Sequence, residues 1–151
     1  MKKTSRQSSK LSKADFEKLA NFRYQLRRFL RFSEEITRKN GITVLQYLLL
    51  LQIKGFPGRE WATVGELTER LQAQQHGVVS LISRCAAAGL VMRSASIRDR
   101  RQVEVRLTGK GAHCLEQLAH LHRAELLSLK HDMLVPDFES LIPNQPEDAA
   151  R

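Results

Sequence analysis

Apolar residues along this chain recur in several rhythms, and each change of rhythm marks an element. Leu19, Phe22, Leu26, Phe29, Ser33 and Ile36 follow one another at intervals of three and four, the spacing of one helix face. Ser12 followed by Asp15 forms a capping box with a short acid, so one long helix is predicted from Ser12 to about Lys39, ended by Asn40-Gly41. Thr43 with Gln46 opens a second helix, and its sequence VLQYLLLLQI is apolar nearly all round. A helix with no polar face belongs at the centre of a core. Lys54-Gly55-Phe56-Pro57-Gly58 reads as a loop, and Thr63-Val64-Gly65-Glu66 as a capping box opening a short helix to about Leu71.

A turn at Gln72 to Gln74 leads into an amphipathic helix whose apolar face is Val78, Leu81, Ile82 and Cys85, with Gly89 placed as a left-handed cap. Leu90-Val91-Met92 then reads as a strand. Val103, Val105 and Leu107 alternate with Gln102, Glu104 and Arg106 as a second, half-buried strand. Thr108 caps a last long helix, along which Ala112, Leu115, Leu118, Ala119, His122, Leu126 and Leu129 trace a stripe. Pro136 breaks that pattern, Phe138 to Ile142 adds a short helix, and residues 143–151 fray.

Helix, turn, helix, hairpin is the order of a winged helix-turn-helix, and the polar positions suit that order. The free face of the second helix carries Gln74, Gln75, His76, Ser80, Ser83 and Arg84 with no carboxylate among them. Such side chains reach base edges and phosphates from a major groove. The loop between the strands gathers Arg98, Arg100 and Arg101 against Asp99 alone, a concentration of charge that DNA phosphate or a narrow minor groove would relieve. A charge run by itself is often no more than a solvated loop tip; its position directly after the helix argues for the interface.

These residues carry a resemblance. Leu71 to Gly111 resembles the signature of the multiple antibiotic resistance regulator (MarR) family of winged-helix transcription factors: Leu71 ending one helix, Gly89-Leu90-Val91 after the next, Asp99-Arg100-Arg101 in the wing, and Leu107-Thr108-Gly109-Lys110-Gly111 at the junction. The resemblance implies that Arg101 enters the minor groove and that Asp99 holds the wing arginines in position. It also implies a small aromatic or phenolic acid bound between the dimer helices and the DNA-binding lobe, for which Tyr24, Arg27, Arg28, Arg31 and Tyr47 offer stacking and carboxylate-binding groups. This chain departs from the family in opening its recognition helix with Gln74, Gln75 and His76 instead of serine or threonine. It also has no cysteine in its first helix, where the peroxide-sensing branch carries one.

Charge sharpens the picture. The chain has 151 residues and a net charge of +9, unevenly spread. Residues 1–39 hold 12 basic and 4 acidic residues, 83–111 hold 7 and 2, and 112–151 hold 3 and 7. Arg23, Arg27 and Arg31 form a basic ridge on the first helix that either faces water or meets the acidic C-terminal segment. The N-terminus shows a positive start with no apolar run behind it, and no stretch is long enough to span a bilayer, so a cytoplasmic, nucleoid-associated protein is expected. Cys85 and Cys114 lie in no metal-ligand spacing, His120 and His122 do not share a helix face, and His76 and His113 have no evident partners, so no metal or other cofactor is expected. Cys114 lies near a helix N-terminus, where a thiolate is favoured. No phosphate loop, HExxH or nucleophile elbow argues for an enzyme.

The fold expected is mainly α: a winged helix-turn-helix over 42–108 with a two-stranded wing, and helical dimerisation segments over 12–40 and 109–142, preceded by a basic tail over 1–11. The function expected is that of a homodimeric regulator, most often a repressor in the resembled family, on an inverted-repeat operator in double-stranded DNA. The alternative is a winged-helix module whose basic wing binds an acidic protein.

Overall fold

The computed structural model describes residues 10–130. The expected break at Pro136, the short helix at Phe138 to Ile142, the frayed 143–151, residues 131–151 of the acidic C-terminal segment and residues 1–9 of the tail lie outside that range. Five helices and three strands follow one another as α1 (Lys13–Lys39), α2 (Val44–Lys54), β1 (Trp61–Thr63), α3 (Val64–Leu71), α4 (Gln75–Ala87), β2 (Val91–Ala95), β3 (Val103–Leu107) and α5 (Gly109–Leu129). The three capping boxes read from the sequence all form: Ser12 with Asp15, Thr43 with Gln46 and Thr63 with Glu66. Each pairs two backbone donors that the first helical turn would leave open.

The core is built around α2. Tyr47, Leu49, Leu50 and Ile53 are buried and packed among Leu67 of α3, Val78, Leu81, Ile82 and Cys85 of α4, Val91 and Val105 of the sheet, and Leu115 and Leu118 of α5. Burying each large aliphatic side chain contributes about 1.5–3 kcal/mol, so α2 ties the other elements together. α1 is different: its buried residues are Gln25, Ser33 and Thr37, while Phe22, Leu26, Phe29 and Ile36 are only half-buried and Leu19 is exposed. The apolar stripe is present, but within one chain it is incompletely covered.

The sheet departs from expectation in two ways. It has three strands, ordered β1-β3-β2, not two. Trp61–Thr63 is too short to show an alternating pattern, yet it pairs antiparallel with β3, Trp61 opposite Arg106 and Thr63 opposite Glu104. Glu104, expected on the polar face, is buried, and its carboxylate accepts from Arg106 Nη2 at 2.8 Å. The strand on its flank removes the water that an edge strand would have kept. Conversely Val103, at the distal end, is exposed because the hairpin there has run past the core.

Two joints hold the layers in register. At the first, α4 ends in a Schellman motif: Gly89 stands at φ +74°, its N–H donates to Ala86 O, and Leu90 N–H donates to Cys85 O. The start of α5 is stitched to this corner. Thr108 N–H donates to Leu90 O, Lys110 Nζ donates to Ala88 O, and Gly111 passes so close that a Cβ there would stand 1.9 Å from the Leu90 carbonyl oxygen. At the second joint His122 of α5 lies 5% exposed and stacks on Tyr47 of α2 at 4.3 Å. Phe29 and Phe32 of α1 meet it edge-on. Its Nδ1 faces Leu118 O at 2.7 Å and its Nε2 faces Ser33 Oγ at 2.8 Å. A neutral ring donating from Nδ1 and accepting at Nε2 satisfies both.

Two substitutions test these joints. Gly111→Ala forces a methyl group into a fixed backbone carbonyl and is expected to cost about 3 kcal/mol of unfolding free energy, the upper end for overpacking, measured by urea denaturation. Ser33→Ala leaves the buried His122 Nε2 without its partner and is expected to cost about 1–3 kcal/mol; an unchanged midpoint would show that the hydroxyl does not hold α1 to α5.

Candidate nucleic-acid interface

The interface is assembled from α3, α4 and the β2–β3 hairpin. α3 is set by an aromatic and cationic cluster. The Arg59 guanidinium lies between the rings of Phe56, at 4.2 Å, and Trp61, at 3.8 Å, and pairs with the Glu66 carboxylate. Arg70 covers Phe56 at 4.9 Å and Arg106 covers Trp61 at 5.5 Å. Cations over aromatic faces are attracted by the ring quadrupole, so the loop after α2 is drawn against β1 and α3. Burial alone would push the Glu66 carboxyl up, but hydrogen bonds from the Thr63 backbone N–H and from Arg59 outweigh it and hold it below its ordinary value of 4.5.

α3 ends at Gln72, whose φ of 49° turns the chain towards α4. α4 starts with Gln74 in the N-cap position without a side-chain hydrogen bond to the helix, so the amide side chains of Gln74 and Gln75 are not used up in capping. Gln74, Gln75, His76, Ser80, Ser83 and Arg84 are all exposed, while Val78, Leu81, Ile82 and Cys85 are buried. One further side chain, Arg93, was not singled out in the sequence. Its Nη1 donates to Ser83 Oγ at 3.1 Å, tying β2 to the exposed face of α4. Its signal lay in the alternation of β2, which puts it on the same side as buried Val91 just where the core gives out.

The hairpin tip is a compact turn despite its charge. Ser96 N–H donates to Gln102 O at 2.9 Å, Gln102 N–H to Asp99 O at 2.9 Å, and Arg101 N–H to Asp99 Oδ1 at 3.0 Å. Ser96, 4% exposed, accepts from Arg98 N–H at 3.3 Å. Asp99 therefore organises backbone, and among the described residues it forms no ion pair with a wing arginine. Arg98, Arg100 and Arg101 are exposed, and Ile97 beside them is 99% exposed.

The residues considered for an effector are not brought together as a set. Tyr24, Arg27, Arg28 and Arg31 line a hollow of about 790 Å³ with Leu30, Glu34, Glu35 and Arg38, all from α1. Tyr47 does not line it. Because α2 is apolar all round, its tyrosine ring is drawn into the core and stacks on His122. The thiols offer little reactivity: burial pushes Cys85 up to about 11, and burial also raises Cys114, outweighing the neighbouring Lys110. Among the described residues no group of three metal-ligating side chains occurs, and no helix is long and apolar enough to cross a membrane.

The lowered Glu66 carboxyl is expected to make the helix-turn-helix more stable near neutrality than in acid. A depressed carboxyl contributes stability above its ordinary value and loses it as pH falls through the depressed one. The stability advantage of the wild type over Glu66→Gln is therefore expected to be largest near neutrality and to shrink below about pH 4, read as melting temperature against pH; a constant difference would sink the assignment.

Comparison with known proteins accords with this geometry. Residues 40–102 match the model of the MarR family, while no curated protein sequence matches the chain. Among solved structures, AbsC from Streptomyces coelicolor, a MarR family transcriptional regulator, superposes with a TM-score of 0.70 at 20% identity, covering 87% of this chain and 88% of its own. A cysteine-to-serine mutant of E. coli MarR complexed with operator DNA superposes at 0.65 with 22% identity, covering 88% and 94%. BpsR of Bordetella bronchiseptica, whose DNA binding is regulated by 6-hydroxynicotinic acid, superposes at 0.61 with 18% identity, covering 79% and 88%. Residues 40–102 thus match the MarR family model, and the chain has the overall fold of solved MarR-family regulators.

Proposed function

We propose that this chain is a sequence-specific DNA-binding transcriptional regulator that acts as a homodimer on an inverted-repeat operator. The observation that carries the reading is the exposed, carboxylate-free face of α4 joined through Ser83 and Arg93 to a hairpin whose tip holds three exposed arginines. In this reading Gln75, His76 and Ser80 meet base edges, Ser83 and Arg84 meet phosphate, and the wing arginines, carried on the turn that Asp99 braces, enter the flanking minor groove. The likeness to a MarR structure complexed with operator DNA supports it.

Dimerisation is supported by apolar surface that one chain leaves open. Phe16 is 55% exposed on α1, and Leu126 and Leu127 are 45% and 58% exposed on α5. A helix of 27 residues is about 40 Å long, more than this core can cover, and a second copy would bury the remainder. Two α4 helices about 34 Å apart would then reach successive major grooves. Release by a small aromatic acid is the regulation proposed, with the α1 hollow and its Arg27, Arg28 and Arg31 as the carboxylate-binding candidates and Tyr24 as the ring contact. The regulation of BpsR by 6-hydroxynicotinic acid supports this by analogy.

The reading is tested by selecting bound duplexes from a random pool at near-physiological salt. A palindromic motif is expected, and Arg101→Ala is expected to weaken binding to it about tenfold or more and to reduce the salt slope by about one. Unselective binding that an acidic polypeptide competes away would favour a protein partner for the wing instead.

A further inference from the structure

α4 contains one large apolar side chain that the fold does not use. Val78, Leu81, Ile82 and Cys85 are buried in the core, and Ala86 packs against it, but Val79 is 45% exposed and belongs neither to the core nor to the half-buried residues around it. A β-branched residue on a solvated helix face is also a poor choice for the helix itself, since it loses side-chain freedom against the preceding turn. Neither packing nor propensity accounts for it.

Its surroundings suggest what does. Val79 lies one helical turn after Gln75 and one turn before Ser83, so its neighbours along the row are hydrogen-bonding side chains. Ser83 is held by Arg93, which steadies that row against the sheet. A surface made to meet water alone gains nothing from two methyl groups at this point. A surface made to meet a major groove does, because the groove edge presents donors, acceptors and a single apolar feature, the C5-methyl group of a pyrimidine.

We propose that Val79 reads a pyrimidine C5-methyl group, thymine's in unmodified DNA, once in each half-site. The inference rests on the DNA-binding reading above and deepens it: Gln75 and its polar neighbours fix the register by hydrogen bonds, and Val79 distinguishes a methylated pyrimidine edge from a bare one by apolar contact.

The test uses the full-length protein and the motif recovered from the random pool, with each thymine of the half-site replaced in turn by uracil, which differs only by that methyl group. One position is expected at which uracil weakens wild-type binding roughly fourfold per half-site, or about fifteenfold when both half-sites carry it. Val79→Ala is expected to bind thymine and uracil duplexes alike at that position while melting at nearly the wild-type temperature, since the residue lies outside the core. Val79→Thr, which keeps one methyl group, is expected to retain part of the discrimination. Replacing cytosines of the motif by 5-methylcytosine in a second arm identifies the other source of the same group, a gain in affinity that depends on Val79.

Two results overturn the inference alone: a recovered motif on which no pyrimidine methyl group affects binding, or a methyl effect that survives in Val79→Ala. Failure to recover any motif overturns the DNA-binding reading and this inference with it.

Discussion

The corner at which α5 begins is the constraint on which the other elements depend. The Leu90 carbonyl accepts from Thr108 N–H, and the first turn of α5 runs directly beneath it with only the hydrogen of Gly111 between. Because no side chain fits there, the distance between the end of α4 and the start of α5 is set by backbone contact. A contact between backbone atoms leaves no side-chain rotamer to give way. Thr108 and Lys110 add hydrogen bonds to the carbonyls of Gly89 and Ala88, groups that the end of a helix would otherwise leave open. A loose joint here would let α4 rock against the hairpin, and its exposed polar face would lose its fixed position relative to the wing arginines.

The second constraint is chemical. α1 is attached to the rest of the chain by its half-buried apolar stripe and by His122, whose ring stacks on α2 and whose nitrogens face α1 and its own helix. A polar group buried among aromatic rings is costly unless paired, so the arrangement is specific in a way that a patch of leucines is not: α1 must lie where Ser33 meets Nε2. This suits a helix whose apolar side chains are left partly open for another surface. The hydrogen bond fixes where Ser33 meets α5, while Phe16, Leu126 and Leu127 stay exposed within one chain.

Electrostatics divides the molecule in the same sense. The arginines near the sheet are occupied, Arg59 between two rings and against Glu66, Arg106 against Glu104 and Trp61. Among the described residues the arginines of the wing tip have no such partner, and the turn beneath them is held by Ser96 and Asp99 through backbone hydrogen bonds. Charge that already has a partner stabilises the fold; charge held on a rigid turn without one is available to an anion.

The helices, their capping boxes, the wing order and the exposed polar face of α4 could all be read from the amino-acid sequence, because each depends on spacing within a few residues: a 3.6-residue period, a hydroxyl three positions before an acid or amide, a glycine where φ is positive. What only the tertiary structure decided depends on contacts between distant segments. The strand at Trp61–Thr63 exists because β3 offers an edge, and it is too short to announce itself. Glu104 is buried because that strand lies beside it. Ser33 and His122 stood in apolar stripes without any sign that they belonged to each other, since they are 89 positions apart. Tyr47 has the chemistry of a ligand contact, and its place in the core follows from the packing of α5 against α2, where it stacks on His122. Local periodicity determines which elements form; which polar groups find partners is determined only when the elements meet.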